Sequence, residues 1–413
     1  MRLHVAALPF PTGQGTQAVL RRMLEADAEA GQHAHLLTYG AGERLVDPPF
    51  QLHRVPDFPR LPSHRSGPSV RKLALDARML STLRKRVAQL RPEVLVAHHV
   101  EAAAICLSAT SLPVVFFAHT DLAGELPSYT HRALAPSLRL LGQGIDRLLV
   151  ARAHAVATIS PGLTTRLLAR HGEATRQALF VPPPWPVASS DRTAPHPDWE
   201  AKAKARAGLG LDKSGQGTAW LLYAGNLDAY QGWPDLVASL GVLRAQGLPV
   251  NLLVATQSDT GPVWKLARRA GLSGRIRTVP LRNETTRRLA HAAADLAVVP
   301  RAVPGGLPIK LLDALARGIP TVASPKATAG LSLADTCQIA HGQDAQALAR
   351  AISEVLSKPE LRRRLAEAGP RYIRKAHHRD AYLHAMRQVT ERARRAHRQA
   401  TQSSGVPDDA PDD

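Results

Sequence analysis

The segment PRAVPGGLPIKLLDALARGIPTVAS, residues 300–324, carries the densest set of groups able to do chemistry. A short apolar run, 296–300, ends at Arg301, and Gly305 and Gly306 turn the chain. Pro308 suits the first turn of a helix, Lys310 follows in that turn, and Asp313 lies one turn on. Leu311, Leu312 and Leu315 then point inward. A glycine turn, a helix N-terminus and two cations on one segment make a site for a diphosphate, because free N–H groups and the helix dipole favour an anion. Asp313 would accept hydrogen bonds from a ribose diol. The plainer reading of Lys310 and Asp313 is an exposed i, i+3 ion pair of little energetic consequence.

Two further clusters lie in the first half. The loop PFPTGQGTQ brings Gly13, Gly15 and Thr16 to the start of a helix, where a backbone without side chains allows close approach by an anion or a sugar hydroxyl. It has neither the G-x-G-x-x-G fingerprint nor a P-loop lysine, and a plain turn fits it equally well. The second cluster is His98, His99 and Glu101, with His119 and Glu125 following the next apolar run. Their loops should meet at one sheet edge. His119 and Glu125 read as hydrogen-bonding groups at that edge, with loop capping as the structural alternative. Zinc is disfavoured, since the spacing fits no zinc signature. No Ser-His-Asp order or reactive-cysteine setting outranks these clusters.

The elements that must position them alternate. Apolar runs at 3–8, 35–39, 94–98, 114–118 and 155–159 are separated by helical patterns at 16–30, 69–89, 129–151 and 161–171. The break PPPWPVASSDRTAPHP, residues 182–197, excludes a regular element and reads as an interdomain connection. The rhythm restarts with strands at 220–224, 251–255, 276–279, 296–300 and 321–323. Helices are expected at 233–246, 263–270, 284–294, 308–317 and 345–356. Residues 358–398 read as Arg-rich helix, and 399–413 as a disordered acidic tail. Near-continuous apolar strands alternating with helices imply parallel sheets covered on both faces, that is, two doubly wound α/β domains. Ligands of such folds bind outside the carboxyl ends of the strands.

The segment 300–324 resembles the donor-site signature of family-4 glycosyltransferases of the GT-B fold: an acidic residue, a Gly-rich turn, Leu-Pro, a helix with a second acidic residue, then Ala-x-Gly-x-Pro-Val-Val-Ala. YAGNLDAYQGWPDLV (223–237), the loop at 9–17 and FFAHTDLAGELPSY (116–129) are similar to further parts of that family in the same order. The resemblance implies two Rossmann-like domains facing across a cleft, with residues 1–185 on the acceptor side and 186–370 on the donor side. It further implies that a basic C-terminal helix, 371–398, crosses back to the first domain. It implies transfer of a hexosyl-type sugar from a nucleotide-diphosphate sugar to a glycan, lipid-linked or small-molecule acceptor. Retention at the anomeric carbon and independence from a metal or other cofactor follow in the same way. The donor site would comprise Gly225, Asn226, Gln231, Arg301, Gly305, Gly306, Lys310 and Asp313, with His119, Arg301 and Lys310 at the reacting groups. Gly13, Gly15, Thr16, His98, His99, Glu101 and Glu125 would lie on the sugar and acceptor side.

The chain departs from the family at three places. Asn226 and Gln231 stand where an Arg and a Lys commonly hold the diphosphate, and Gly305 aligns with the first acidic residue. Arg301 and Lys310 would restore the two lost charges. A GT-B nucleotide-sugar epimerase and an inactive nucleotide- or glycan-binding homologue are the competing readings.

Composition bounds the partners. The 413 residues are too many for one core and suit two domains, and 44% are hydrophobic. Two cysteines, Cys106 and Cys337, exclude a disulfide scaffold. The apolar start is too short for a signal peptide, and no run reaches the ~18 residues of a membrane span. A soluble, cytoplasmic-type protein is therefore expected, and the resemblance implies a bacterial-type enzyme. With 53 Lys and Arg against 34 Asp and Glu the net charge is +19. The 43 arginines are spread along the chain and only 4% of residues are aromatic, so nucleic acid is not the expected partner. Residues 357–398 hold 13 Lys or Arg and 4 Asp or Glu, a local 13 − 4 = +9. This stretch is either a solvated face or a surface for anionic membrane lipid or an anionic, lipid-linked acceptor.

Overall fold

Strands such as Val94–His98 and Val114–Ala118 are buried at every residue, which only a central strand of a sheet covered on both faces permits. The computed structural model describes all residues except 12–14, 43–44, 57–69, 130–133, 173–177, 188–198, 212–216, 282, 334 and 404–413. It contains two compact units. The first is built from the chain up to Pro184 and the segment from Arg379 onward, and the second principally from Trp185–His378.

The first unit holds β1 (Arg2–Ala6), β2 (Ala34–Thr38), β3 (Gln51–Arg54), β4 (Val94–His98), β5 (Val114–Ala118), β6 (Ala155–Thr158) and β7 (Leu179–Phe180). They form one parallel sheet in the order β3-β2-β1-β4-β5-β6-β7. The second unit holds β8 (Ala219–Ala224), β9 (Val250–Thr256), β10 (Ile276–Pro280), β11 (Leu296–Val299), β12 (Thr321–Ala323) and β13 (Gln338–Ile339). Their order is β10-β9-β8-β11-β12-β13, again parallel. Strand order reverses between β1 and β4 in one sheet and between β8 and β11 in the other. These switch points are where doubly wound folds open a crevice for ligand.

Three strands escape the sequence pattern: β3, β7 and β13. All lie at sheet edges and none of their residues is buried. A half-solvated edge needs no continuous apolar run, so nothing in QLHR or QI marks it. The helix His99–Ala109 was also illegible, because its small apolar residues carry almost no amphipathic contrast.

The C-terminal stretch is helical and divides into two helices. A helix Pro359–Ala376 belongs to the second unit and ends at His377, whose carbonyl accepts from the Trp185 N–H at 2.8 Å. Its Gly369 allows close contact with the helix Ile309–Ala316, since a Cβ there would stand 2.7 Å from the Leu315 carbonyl oxygen. The helix that returns to the first unit is Arg379–Ser403. It therefore starts eight residues after 371 and runs on through 399–403, five of the residues expected to be disordered; 404–413 lie outside the described residues. Tyr382, Met386 and Val389 bury its apolar stripe. Arg394, Arg395 and Arg398 share the single carboxylate of Glu391, and Arg379 reaches Glu29.

Candidate functional site

The richer of the two switch points lies at the carboxyl ends of β8 and β11. β8 ends at Ala224, and Gly225 follows with φ +148°. A Cβ on Gly225 would stand 3.0 Å from Lys310 Nζ, so only glycine lets the ammonium lie against this backbone. Lys310, in the first turn of the helix Ile309–Ala316, donates to Gln231 Oε1 at 2.7 Å and to the Tyr223 hydroxyl at 3.1 Å. Its Nζ also sits 4.2 Å from the Tyr223 ring centre. Burial and the neighbouring Arg301 guanidinium push its pKa down to about 7.

Arg301 follows β11 directly. Its Nε donates to the Val303 carbonyl at 3.0 Å and its Nη1 to the Gly306 carbonyl at 3.1 Å, and its guanidinium lies 5.5 Å from the Tyr230 ring centre. A Cβ on Gly305 would come within 2.2 Å of Arg301 Nη2. The missing side chain at the departed family position is thus the space the guanidinium occupies. Gly232, at φ +68°, packs against the Pro300 carbonyl where a Cβ would overlap it at 1.8 Å, fixing the loop that carries Gln231.

Asn226 donates to Asp228 Oδ2 at 2.6 Å and accepts the Tyr223 hydroxyl on its carbonyl, while its buried Oδ1 has no hydrogen-bond partner. Asp313 does not pair with Lys310. It accepts from Arg287 Nη1 at 3.1 Å, so the i, i+3 ion pair does not form. The second unit therefore brings Gly225, Gln231 and Lys310 into contact, and Arg301 with Gly305 and Gly306. Tyr223, Tyr230 and Arg287 complete the set. Sequence reading missed them, since two are aromatics in an apolar context and one is among 43 arginines.

In the first unit the corresponding groups are imidazoles. His98 closes β4 and His119 follows β5, with His98 Nδ1 and His119 Nε2 2.9 Å apart. His4 of β1, which the sequence reading passed over, lies behind them with its Nδ1 2.9 Å from His98 Nε2. A histidine inside the otherwise apolar RLHVA was the available signal. Burial, then neighbouring imidazoles, hold His98 and His119 well below the usual histidine range, so both are neutral. His99 stacks on His119 at 4.6 Å between ring centres and approaches the Thr16 hydroxyl at 3.4 Å. Its φ of +70° is a left-handed conformation that a non-glycine residue holds only under constraint. Glu101 is engaged by Lys72, and Glu125 accepts from the Thr120 hydroxyl. The ring nitrogens of His4, His98 and His119 face one another rather than one common point, and among the described residues no group of three side chains is arranged to hold a metal ion. Gly15 opens the helix Gly15–Glu29, and Gly13 lies outside the described residues.

Two parallel Rossmann-like sheets, each with polar groups gathered at its carboxyl end, and a terminal helix returning to the first unit define the GT-B class. Residues 213–372 match the family model of glycosyl transferases group 1, and residues 14–184 match that of the glycosyl transferase 4-like domain. The chain belongs to the family-4-like glycosyltransferases of the GT-B fold. Comparison with curated proteins finds no match. Similar solved structures include sucrose-phosphate synthase from Thermosynechococcus elongatus, with 19% identity, TM-score 0.75, and coverage of 97% of this chain and 99% of that one. HepE of Anabaena in complex with UDP-glucose has 14% identity and TM-score 0.72, covering 95% and 100%. The catalytic domain of starch synthase IV from Arabidopsis thaliana, bound to ADP and acarbose, has 14% identity and TM-score 0.69, covering 95% and 99%.

Proposed function

We propose that this glycosyltransferase takes its sugar from a nucleotide-diphosphate donor and passes it to a hydroxyl acceptor with retention at the anomeric carbon. One observation carries the reading. Lys310 Nζ lies against Gly225 and Gln231, so a cation borne on another helix reaches the glutamine that stands at the family's lysine position. Its hydrogen-bond acceptors are neutral oxygens and its pKa is depressed to about 7, the state of an ammonium awaiting an anion. Binding of a diphosphate would restore its charge, and Arg301 beside it would share the second phosphate. As the glycosidic bond to phosphate lengthens, negative charge grows on the bridging oxygen, and these two cations stabilise it more than the ground state. The relatives solved with UDP-glucose and with ADP support a nucleotide donor in general and leave the base open. No cofactor or metal is assigned a role in this scheme.

The test is incubation of the full chain with a panel of nucleotide sugars and candidate acceptors. Acceptor-dependent release of nucleoside diphosphate, with the anomeric configuration kept in the product, is expected. Isomerised donor without release would identify an epimerase, and binding without turnover an inactive homologue.

A second reading concerns where the enzyme works. No helix among the described residues is long and apolar enough to cross a membrane. The helix Ala135–Arg152, however, exposes Leu140 (68%), Leu141 (55%) and Leu148 (54%) on its solvent side, with Leu134 just before it. Arg139, Arg147 and Arg152 are exposed on the same helix and pair with no carboxylate among the described residues. Leucines flanked by exposed cations fit an anionic lipid surface, and so add a second candidate to the basic C-terminal helices. Co-sedimentation with vesicles containing anionic lipid should fall several-fold in a Leu140→Ser, Leu141→Ser double variant, and no dependence on lipid charge would remove the reading.

A further inference from the structure

A continuous line of buried polar side chains crosses the first unit, from Arg2 through Asp27, His4 and His98 to His119. Arg2 Nη2 donates to Asp27 Oδ1 at 2.7 Å. His4 Nε2 lies 3.3 Å from Asp27 Oδ2, off the axis of a good hydrogen bond but in contact with the carboxylate. The two imidazole–imidazole contacts beyond it are 2.9 Å each. The four residues from Asp27 to His119 are between 0% and 3% exposed. Tyr382 of the returning helix is buried close to Asp27, closing this end of the line.

A neutral imidazole has one N–H and one lone pair. With all three rings neutral, each 2.9 Å nitrogen–nitrogen contact needs one of each, and only two arrangements exist: all protonated at Nε2, or all at Nδ1. The carboxylate decides between them. It can only accept, and a bare Nε2 of His4 at 3.3 Å would set lone pair against anion. His4 therefore carries its proton on Nε2 and accepts from His98 Nε2 on Nδ1. His98 in turn accepts from His119 Nε2. His119 is left with an unprotonated Nδ1, the atom that is buried without a hydrogen-bond partner.

We propose that Asp27 sets the direction of this line, so that His119 offers its ligand a hydrogen-bond acceptor, suited to a hydroxyl and unsuited to a phosphate oxygen. Asp27, His4 and His98 are then positioning residues for a contact made by His119. That the hydroxyl belongs to the donor sugar rests on the transferase reading; the direction of the line does not.

Long-range proton–nitrogen correlation spectra of the full 15N-labelled chain test it, with signals assigned by His4→Gln, His98→Gln and His119→Gln variants. All three rings should show protonated Nε2 and bare Nδ1, and an Nδ1–H on any of them would overturn the proposal. Asp27→Asn, whose amide can donate to His4, should mix or reverse the tautomers. In the same variant the preference for UDP-glucose over UDP, used as probes, should shrink about tenfold, the scale of one buried hydrogen bond left unmade. An unchanged preference with altered tautomers would overturn the role in ligand contact. If Asp27→Asn does not fold, His119→Leu provides the binding arm and the wild-type spectra still decide the direction. A chain that binds neither probe sinks the transferase reading while leaving the tautomer result intact.

Discussion

At the carboxyl end of the first sheet the polar groups are neutral rings bound to one another, and at the same end of the second they are cations bound to neutral oxygens and backbone carbonyls. The two units share a topology, yet the burial of charge is handled in opposite ways. In the first, His98 and His119 avoid the cost of burying charge by staying neutral, and the nitrogens of the three histidines meet pairwise. In the second, Lys310 is held at the edge of ionisation by burial and by Arg301. The difference suits the two ends to different chemistry: ring lone pairs accept from hydroxyls, and cations hold anions such as phosphates.

The sharpest way to break this division is the double variant Arg301→Ala, Lys310→Ala. Two charge-assisted contacts at ~1.5–3 kcal/mol each should cost about 100-fold or more in affinity for a nucleoside diphosphate, measured by calorimetry. Unchanged affinity would mean that Asn226 and Gln231 hold the diphosphate by neutral hydrogen bonds, and that the cations do not compensate for the departed family residues. His119 and its line should leave this affinity untouched, because they present a lone pair to the ligand.

A smaller effect follows from ionisation. Free Lys310 titrates at about 7, and a bound diphosphate raises that value. Below the free value the ammonium is already formed and affinity is flat in this respect. Above it, binding must take up a proton, so affinity falls by up to about tenfold per pH unit until the bound-state pKa is reached. Lys310→Arg, always charged, should abolish that slope while keeping the affinity at low pH within a few-fold. The ligand's own titration is common to both proteins and cancels in the comparison. An identical slope in the two would place the titrating group elsewhere.

Much of the second unit's site was legible in residues 300–324, because a glycine turn, a helix start and two cations lie within a dozen positions. What the linear order did not carry was pairing. Asp313 looks like a partner of Lys310 three residues away and is instead taken by Arg287 from another helix. Gly305 looks like a lost carboxylate and is the space for a guanidinium. In the first unit His98 and His119 were marked by their position after apolar runs, whereas His4 and Asp27 looked like incidental polar residues in a strand and a helix. Parallel pairing of β1 with β4 and β4 with β5 is what lines the three rings up.

The alternation of apolar runs and helices determined that the chain forms parallel sheets, since strands buried on both faces have no other stable arrangement. The spacing of Gly, Pro, Lys and Arg in one segment determined that an anion could be held at a strand end. The tertiary structure decided where the two cations lie, because Gly225 and Gly305 leave room beside the backbone for the Lys310 ammonium and the Arg301 guanidinium. It also decided the state of the histidines. The neutrality of His98 and His119 and the order of the line are products of burial and strand register, which join residues 4, 27, 98 and 119 in space though they lie far apart in sequence.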